Sequence, residues 1–207
     1  MKTLGVLSQK GGAGKTTLAV HLAVLADAVL IDTDPQGSAA GWGRVREADT
    51  PVVIEAGVEQ LAGTLAQVRE ATADWVIVDT AGKAAGELTE VARLSDLVVI
   101  PTRTGTFDLN ALAPTVRIVE ATGRRAVFVL NHTPAARADG EMSVVREARE
   151  ALAVFGLPVA PMALTQRAVL SHALNSGHAV TEFEPTGKAA TELRDLWIFL
   201  KGELENE

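Results

Sequence analysis

The chain has 207 residues, of which 47% are hydrophobic and 22% charged, a globular composition that excludes a disordered chain. It contains no cysteine and no tyrosine, which excludes disulfides, thiolate metal sites, cysteine-held iron–sulfur clusters, cysteine nucleophiles and tyrosine autophosphorylation. The formal net charge of -7 argues against a surface that is basic throughout, as a general nucleic-acid or anionic-membrane binder would need.

Six short, continuously apolar runs, at 3–7, 28–31, 52–54, 75–78, 97–101 and 126–130, predict strands buried on both faces. Segments with helical spacing lie between them. Leu61, Leu65 and Val68 form one apolar stripe, and Val144, Val145, Ala148, Ala151 and Leu152 another. Segments 135–139 and 183–187 predict loops, and a last helix is expected over 188–202. Strand–helix alternation implies right-handed crossovers and a doubly wound α/β fold, with a mostly parallel sheet and helices on both faces. The chain reads as one domain over 1–207. No apolar run approaches the roughly 18 residues of a membrane span, and no secretory pattern opens the chain, so a cytoplasmic protein is expected.

The stretch Lys10-Gly-Gly-Ala-Gly-Lys-Thr-Thr17 falls between the first strand and the first helix. The common phosphate-loop spacing would place glycine at position 9, which is Gln9. The chemistry still fits: glycines let backbone N–H groups turn onto a phosphate, and the helix N-terminus adds partial positive charge. Residues Gly11, Gly12, Ala13, Gly14, Lys15, Thr16 and Thr17 are the expected nucleotide cradle. Lys15 is placed to reach the β- and γ-phosphates and the Thr16 hydroxyl to ligate Mg²⁺.

Two further segments supply carboxylates. Asp32 and Asp34, in Val29-Leu-Ile-Asp-Thr-Asp-Pro-Gln-Gly37, end the second strand at the mouth where α/β sheets bind ligands. Asp79 ends the strand that begins at Trp75, a Walker B pattern expected to hold Mg²⁺.

The additional lysine before the glycines, Lys10, marks a deviant Walker A motif, and over nearly its whole length the sequence resembles the ParA/MinD family of P-loop ATPases. That resemblance implies ATP with Mg²⁺ as cofactor, and a homodimer that sandwiches the nucleotide, with Lys10 reaching the partner subunit's phosphates. It implies that Asp34 orients the attacking water, that Asp32 lies near the metal, and that Asp79-Thr-Ala-Gly82 is a switch segment. The family usually carries proline where Ala81 stands. Asn131, after the sixth strand, reads either as an adenine contact or as a strand-to-loop cap, and Pro161, Met162 and Gln166 are expected around the adenine.

Within that family, absent cysteine removes the nitrogenase iron protein and arsenite-type branches, and absent tyrosine removes the autokinases. The acidic tail, Trp197-Ile-Phe-Leu-Lys-Gly-Glu-Leu-Glu-Asn-Glu207, disfavours a MinD-like membrane helix. The remaining resemblance is to short partition ATPases. These bind DNA non-specifically in the ATP state, associate with the nucleoid, and act with a ParB-like centromere-binding or cargo-adaptor partner; no operator-binding helix-turn-helix is expected. Arg167, Lys188 and Arg194 are the candidate DNA contacts, since a few phosphate contacts suffice for such binding. Arg146 and Arg149 form a second candidate, read equally as a solvated face paired with Glu147 and Glu150. The 22–27 link before the second strand is short for the family. The four histidines have no metal-site spacing, and Trp42, Trp75 and Trp197 are expected to pack. The alternatives are a metabolic P-loop ligase or kinase of the dethiobiotin synthetase type, which would lack Lys10, and a membrane-associated positioning ATPase.

Overall fold

A computed structural model describes residues 1–82, 84–136 and 140–205. The six expected strands all form: β1 (Lys2–Val6), β2 (Val29–Asp32), β3 (Val53–Glu55), β4 (Trp75–Asp79), β5 (Leu97–Thr102) and β6 (Arg125–Leu130). They make one sheet in the order β3-β2-β4-β1-β5-β6. Every pairing is parallel, so the sheet is parallel throughout. The link leaving β1 runs to one side of the sheet and that leaving β5 to the other. The crevice at the C-terminal end of β1 is therefore a topological switch point, where such sheets take ligands.

Alternation along each strand splits the core in two. Leu4, Val6, Leu30, Ile77, Val99, Val127 and Val129 face one layer of helices. Leu7, Ile31, Val76, Val78, Val98, Ile100, Phe128 and Leu130 face the other. The first layer centres on α1 (Lys15–Ala26), which buries Leu18, Ala19, Val20, Leu22 and Ala23 under α8 (Ala168–Asn175), α9 (Val180–Phe183) and α10 (Lys188–Glu205). Burying each such leucine contributes about 1.5–3 kcal/mol, so the helix that carries the phosphate loop is strongly held. Residues 22–26 are the end of α1, and Asp27, in a left-handed turn with its N–H on Ala23 and Val24 carbonyls, closes the helix. The short 22–27 link is therefore mostly helix.

The second layer holds α3 (Leu61–Glu70), α4 (Ala85–Leu94), α6 (Ala113–Thr122) and α7 (Ser143–Ala153). The stripe Leu61, Leu65, Val68 is buried as expected. On α7 only Val145, Ala148 and Leu152 are buried, and Ala151 faces solvent. The 183–187 loop begins one residue later because α9 takes Phe183, whereas 137–139 of the 135–139 loop lie outside the described residues.

Helix α10 runs three residues beyond 202 and buries Ala189, Ala190, Leu193, Leu196, Leu200 and Leu204. Trp197 meets Trp75 edge-on, with centroids 4.8 Å apart at 76°. The apolar residues of the acidic tail thus pack inward, except Ile198, which is 68% exposed. Among the described residues no helix is long and apolar enough to cross a membrane.

Candidate functional site

The loop of residues 7–14 crosses the C-terminal end of β1 and enters α1 at Gly14, whose φ of 86° lies in the left-handed region. A side chain there would also strike the Asn131 amide. Gly82 closes the loop from the opposite side, with φ 80° and no room for a Cβ against the Ser8 carbonyl and Lys15 Nζ. Both glycines are therefore required by space and by backbone conformation.

Strand register sets the carboxylates. Asp79 pairs with Val6 on β1 and with Asp32 on β2, so the phosphate loop and both aspartates emerge at one level. Thr33 reinforces this, its N–H and Oγ1 donating to the Asp79 carbonyl at 3.0 and 2.7 Å. Thr80 Oγ1 donates to the Val6 carbonyl at 2.9 Å.

Lys15 is buried, and its Nζ donates to the Lys10 carbonyl at 3.4 Å. Burial lowers its pKa, and the charges of Asp79 and Asp34 oppose that fall. Asp79 is fully buried, which pushes its pKa up to about 7; the Thr16 hydroxyl beside it and Lys15 pull it down, while Asp32 adds to the rise. Oδ1 of Asp79 accepts the Thr80 N–H at 3.0 Å, and Oδ2 has no partner. An unpartnered buried carboxylate oxygen next to a threonine hydroxyl is the hard-oxygen donor set that suits Mg²⁺. No three His, Asp or Glu side chains group as a metal-holding set among the described residues, so a cation here would draw its other ligands from phosphate and water.

Asp32, paired with Asp79 across the strands, is held by backbone donors. Its Oδ1 accepts the Asp34 N–H at 3.0 Å and its Oδ2 the Ala40 N–H at 2.9 Å. Both oxygens are engaged by backbone, so Asp32 shapes the loop that leads into α2 (Ser38–Val45). Asp34 is half-buried, and its Oδ1 accepts the Gln36 N–H at 2.9 Å. At its other end α2 is held by Arg46, whose side chain is 5% exposed and forks onto both Glu182 oxygens at 2.8 and 2.6 Å. That pair joins the Asp34 loop's helix to α9.

Asn131 is brought to the phosphate loop, but its Nδ2 donates to the Ala13 carbonyl at 2.9 Å and its Oδ1 accepts the His132 N–H at 2.9 Å. These bonds cap the strand end and brace the loop. Beside it opens a cleft of about 280 Å³ lined by Thr17, His132, Gln166, Arg167, Ala168, Leu170 and Ser171. Of the three residues expected around the adenine, Gln166 lines this cleft. Pro161 is exposed with its carbonyl on Arg149, and Met162 packs against the main core, so neither reaches the cleft.

The three candidate DNA contacts do not form one free cluster. Arg167 is paired with Glu192 at 2.7 Å, and Arg194 donates to the Pro185 carbonyl at 2.6 Å. Lys188, the first residue of α10, is the exposed one of the three. Arg149 is held by Glu141 at 3.1 Å and by the Ala160 and Pro161 carbonyls, in place of the expected helix-face partners. Arg146 is exposed.

Three residues that sequence reasoning passed over join the site. Asp108 Oδ1 is 2.7 Å from Lys10 Nζ. The Arg103 guanidinium lies beside Gly12. His132, in a left-handed turn at φ 54°, has its pKa lowered by burial and then by Arg103. Arg103 follows the end of β5, next to the switch point, and that position was the available signal.

Comparison with known proteins agrees with this geometry. Residues 4–173 match the family model for the CobQ/CobB/MinD/ParA nucleotide binding domain. A protein of Halothiobacillus neapolitanus named for maintenance of carboxysome distribution (protein A) is 25% identical over 204 residues, covering 92% of this chain and 91% of its own. A variant of the McdA protein of Cyanothece, in complex with ATP, superposes with a TM-score of 0.75 at 20% identity, covering 100% of this chain and 97% of that one. A Borrelia burgdorferi putative plasmid partition protein bound to AMPPNP gives 0.72 at 18% identity, covering 97% and 99%.

Proposed function

Because the chain belongs to the CobQ/CobB/MinD/ParA nucleotide-binding family, we propose that this ATPase works as a dimerising switch that positions a large cargo over DNA. The observation that carries the reading is the convergence at the end of β1: Lys15 and Asp79 are buried together, Thr16 lies against Asp79, and Lys10 stands at the rim beside two exposed glycines.

In this reading the N–H groups of residues 11–17 and the start of α1 receive the phosphates. Lys15 leaves the Lys10 carbonyl for the β- and γ-oxygens, and Lys10 extends to the nucleotide of a second subunit. Asp79 and Thr16 would hold Mg²⁺, which when bound neutralises phosphate charge. Asp34, stiffened by its turn to Gln36, orients the attacking water, while Asp32 keeps that loop in shape. The adenosine end lies towards Gln166 and His132. Because nucleotide bridges the subunits, ATP draws monomers into dimers by mass action and hydrolysis releases them.

The cargo reading leans on the Halothiobacillus relative, whose name concerns carboxysome distribution. A protein body is thus the favoured cargo, with a ParB-like or other adaptor protein stimulating hydrolysis. Nucleoid DNA would serve as the track, and the protein would work in the cytoplasm. Lys188, duplicated in the dimer, is the first DNA contact to consider, since weak binding that requires dimerisation is readily reversed. Co-sedimentation with non-specific DNA under ATP, ADP and no nucleotide tests this. Binding with ATP alone is expected; equal binding in all three would remove the switch.

A further inference from the structure

The Lys10–Asp108 contact carries a consequence for dimerisation, and it rests on the role given to Lys10 above. The ammonium lies 2.7 Å from Asp108 Oδ1, and the two side chains are 35% and 17% exposed. Asp108 belongs to α5 (Thr106–Asn110), in the segment that follows β5, and its own N–H donates to the Gly105 carbonyl at 2.9 Å. The contact therefore joins two segments that are distant in sequence across the rim of the phosphate loop.

The same lysine's carbonyl accepts Lys15 Nζ at 3.4 Å. Both cations of the loop are thus satisfied within one chain: Lys15 by the Lys10 carbonyl, and Lys10 by Asp108. One ammonium cannot sit 2.7 Å from its own subunit's carboxylate and also on another subunit's phosphates. We propose that Asp108 is a cis latch: it holds Lys10 against its own subunit and so sets how readily ATP-bound subunits pair. Asp108 is a positioning residue that acts through Lys10, and its removal frees the lysine for the partner without deleting a group that touches nucleotide.

Both side chains keep some contact with water, so the latch is a threshold and not a lock. Partly exposed ion pairs shift equilibria modestly, and losing this one should tighten dimerisation by about 3- to 10-fold. The test is sedimentation equilibrium of the full chain with Mg²⁺-ATP in the Asp34→Ala background, where slow hydrolysis preserves the bound state. Asp108→Asn, which keeps the shape and removes the charge, should tighten the dimer by that factor. Asp108→Ser serves as a second variant, and both are checked by thermal melting. Added to Lys10→Ala, which is expected to lose the dimer, Asp108→Asn should restore no pairing, whereas a general relief of surface charge repulsion would restore some. An unchanged or weaker dimer for Asp108→Asn alone overturns the latch. If the Asp34→Ala parent forms no ATP-dependent dimer, the dimer reading and the latch fall together; if it dimerises normally and Asp108→Asn matches it, the latch alone falls.

Discussion

Asp32 and Asp79 sit directly opposite each other on β2 and β4, yet their carboxylates have opposite fates. Asp32 has both oxygens engaged by the N–H groups of Asp34 and Ala40, whereas Asp79 keeps Oδ2 buried and unpartnered. The first is a structural element of the loop, and the second has the oxygen that the proposed mechanism assigns to Mg²⁺.

Substitution should separate them. Asp32→Ala strands two backbone donors and should lower stability by about 2–3 kcal/mol, read by urea denaturation. Asp79→Asn removes a buried charge, so stability should hold or rise while Mg²⁺-dependent nucleotide binding is lost. Equal stability losses in the two variants would contradict this division of roles.

Lys15 and Asp34 should separate binding from turnover. Lys15→Ala removes the cation buried in the cradle and should abolish ATP binding by isothermal titration calorimetry. Asp34→Ala should retain ATP but lower turnover by at least about 100-fold, the lower range for a positioned general base or water-orienting group. Unchanged turnover would take Asp34 out of the mechanism.

His21 should make stability fall in mild acid. It is buried in α1, its Nδ1 accepts the Val180 N–H at 3.2 Å, and burial pushes its pKa down to about 4 from 6.5. Above pH 6.5 both folded and unfolded chains carry it neutral, and it adds no pH dependence. As pH falls from 6.5 towards 4 the unfolded chain takes the proton first, which removes about 3 kcal/mol in all. Urea denaturation across that range should show a shallower fall for His21→Gln than for the natural chain. Parallel curves would show that the imidazole is not the group responsible.

Lys188→Glu should weaken ATP-dependent DNA binding and lower its salt dependence, while basal ATP hydrolysis is retained. Arg167→Ala, by contrast, breaks the pair with Glu192 and should lower stability as well as any DNA binding. Undiminished DNA binding in Lys188→Glu would place the contact elsewhere, with exposed Arg146 the next residue to test.

Much of the fold was legible because buried parallel strands are short continuous apolar runs, and all six appear in sequence within one or two residues of their observed ends. The phosphate loop was legible because glycine, lysine and threonine must stand close together in the chain to surround a phosphate. Engagement of side chains was not legible. Nothing local to Asp32 reveals that Ala40 will return to its second oxygen, and nothing near Arg167 reveals Glu192. Lys10 and Asp108 are far apart in the chain and meet only because β1 and β5 are neighbours in the sheet. The same limit applies to Asn131, whose amide donates to the Ala13 carbonyl of the loop.

The most direct test of the central claim is the mass of the protein in solution with ATP, by light scattering or sedimentation. A monomer is expected without nucleotide or with ADP, a dimer with Mg²⁺-ATP in the Asp34→Ala background, and loss of that dimer in Lys10→Ala. A protein that stays monomeric with bound ATP, or a Lys10→Ala variant that dimerises as well as its parent, would contradict it.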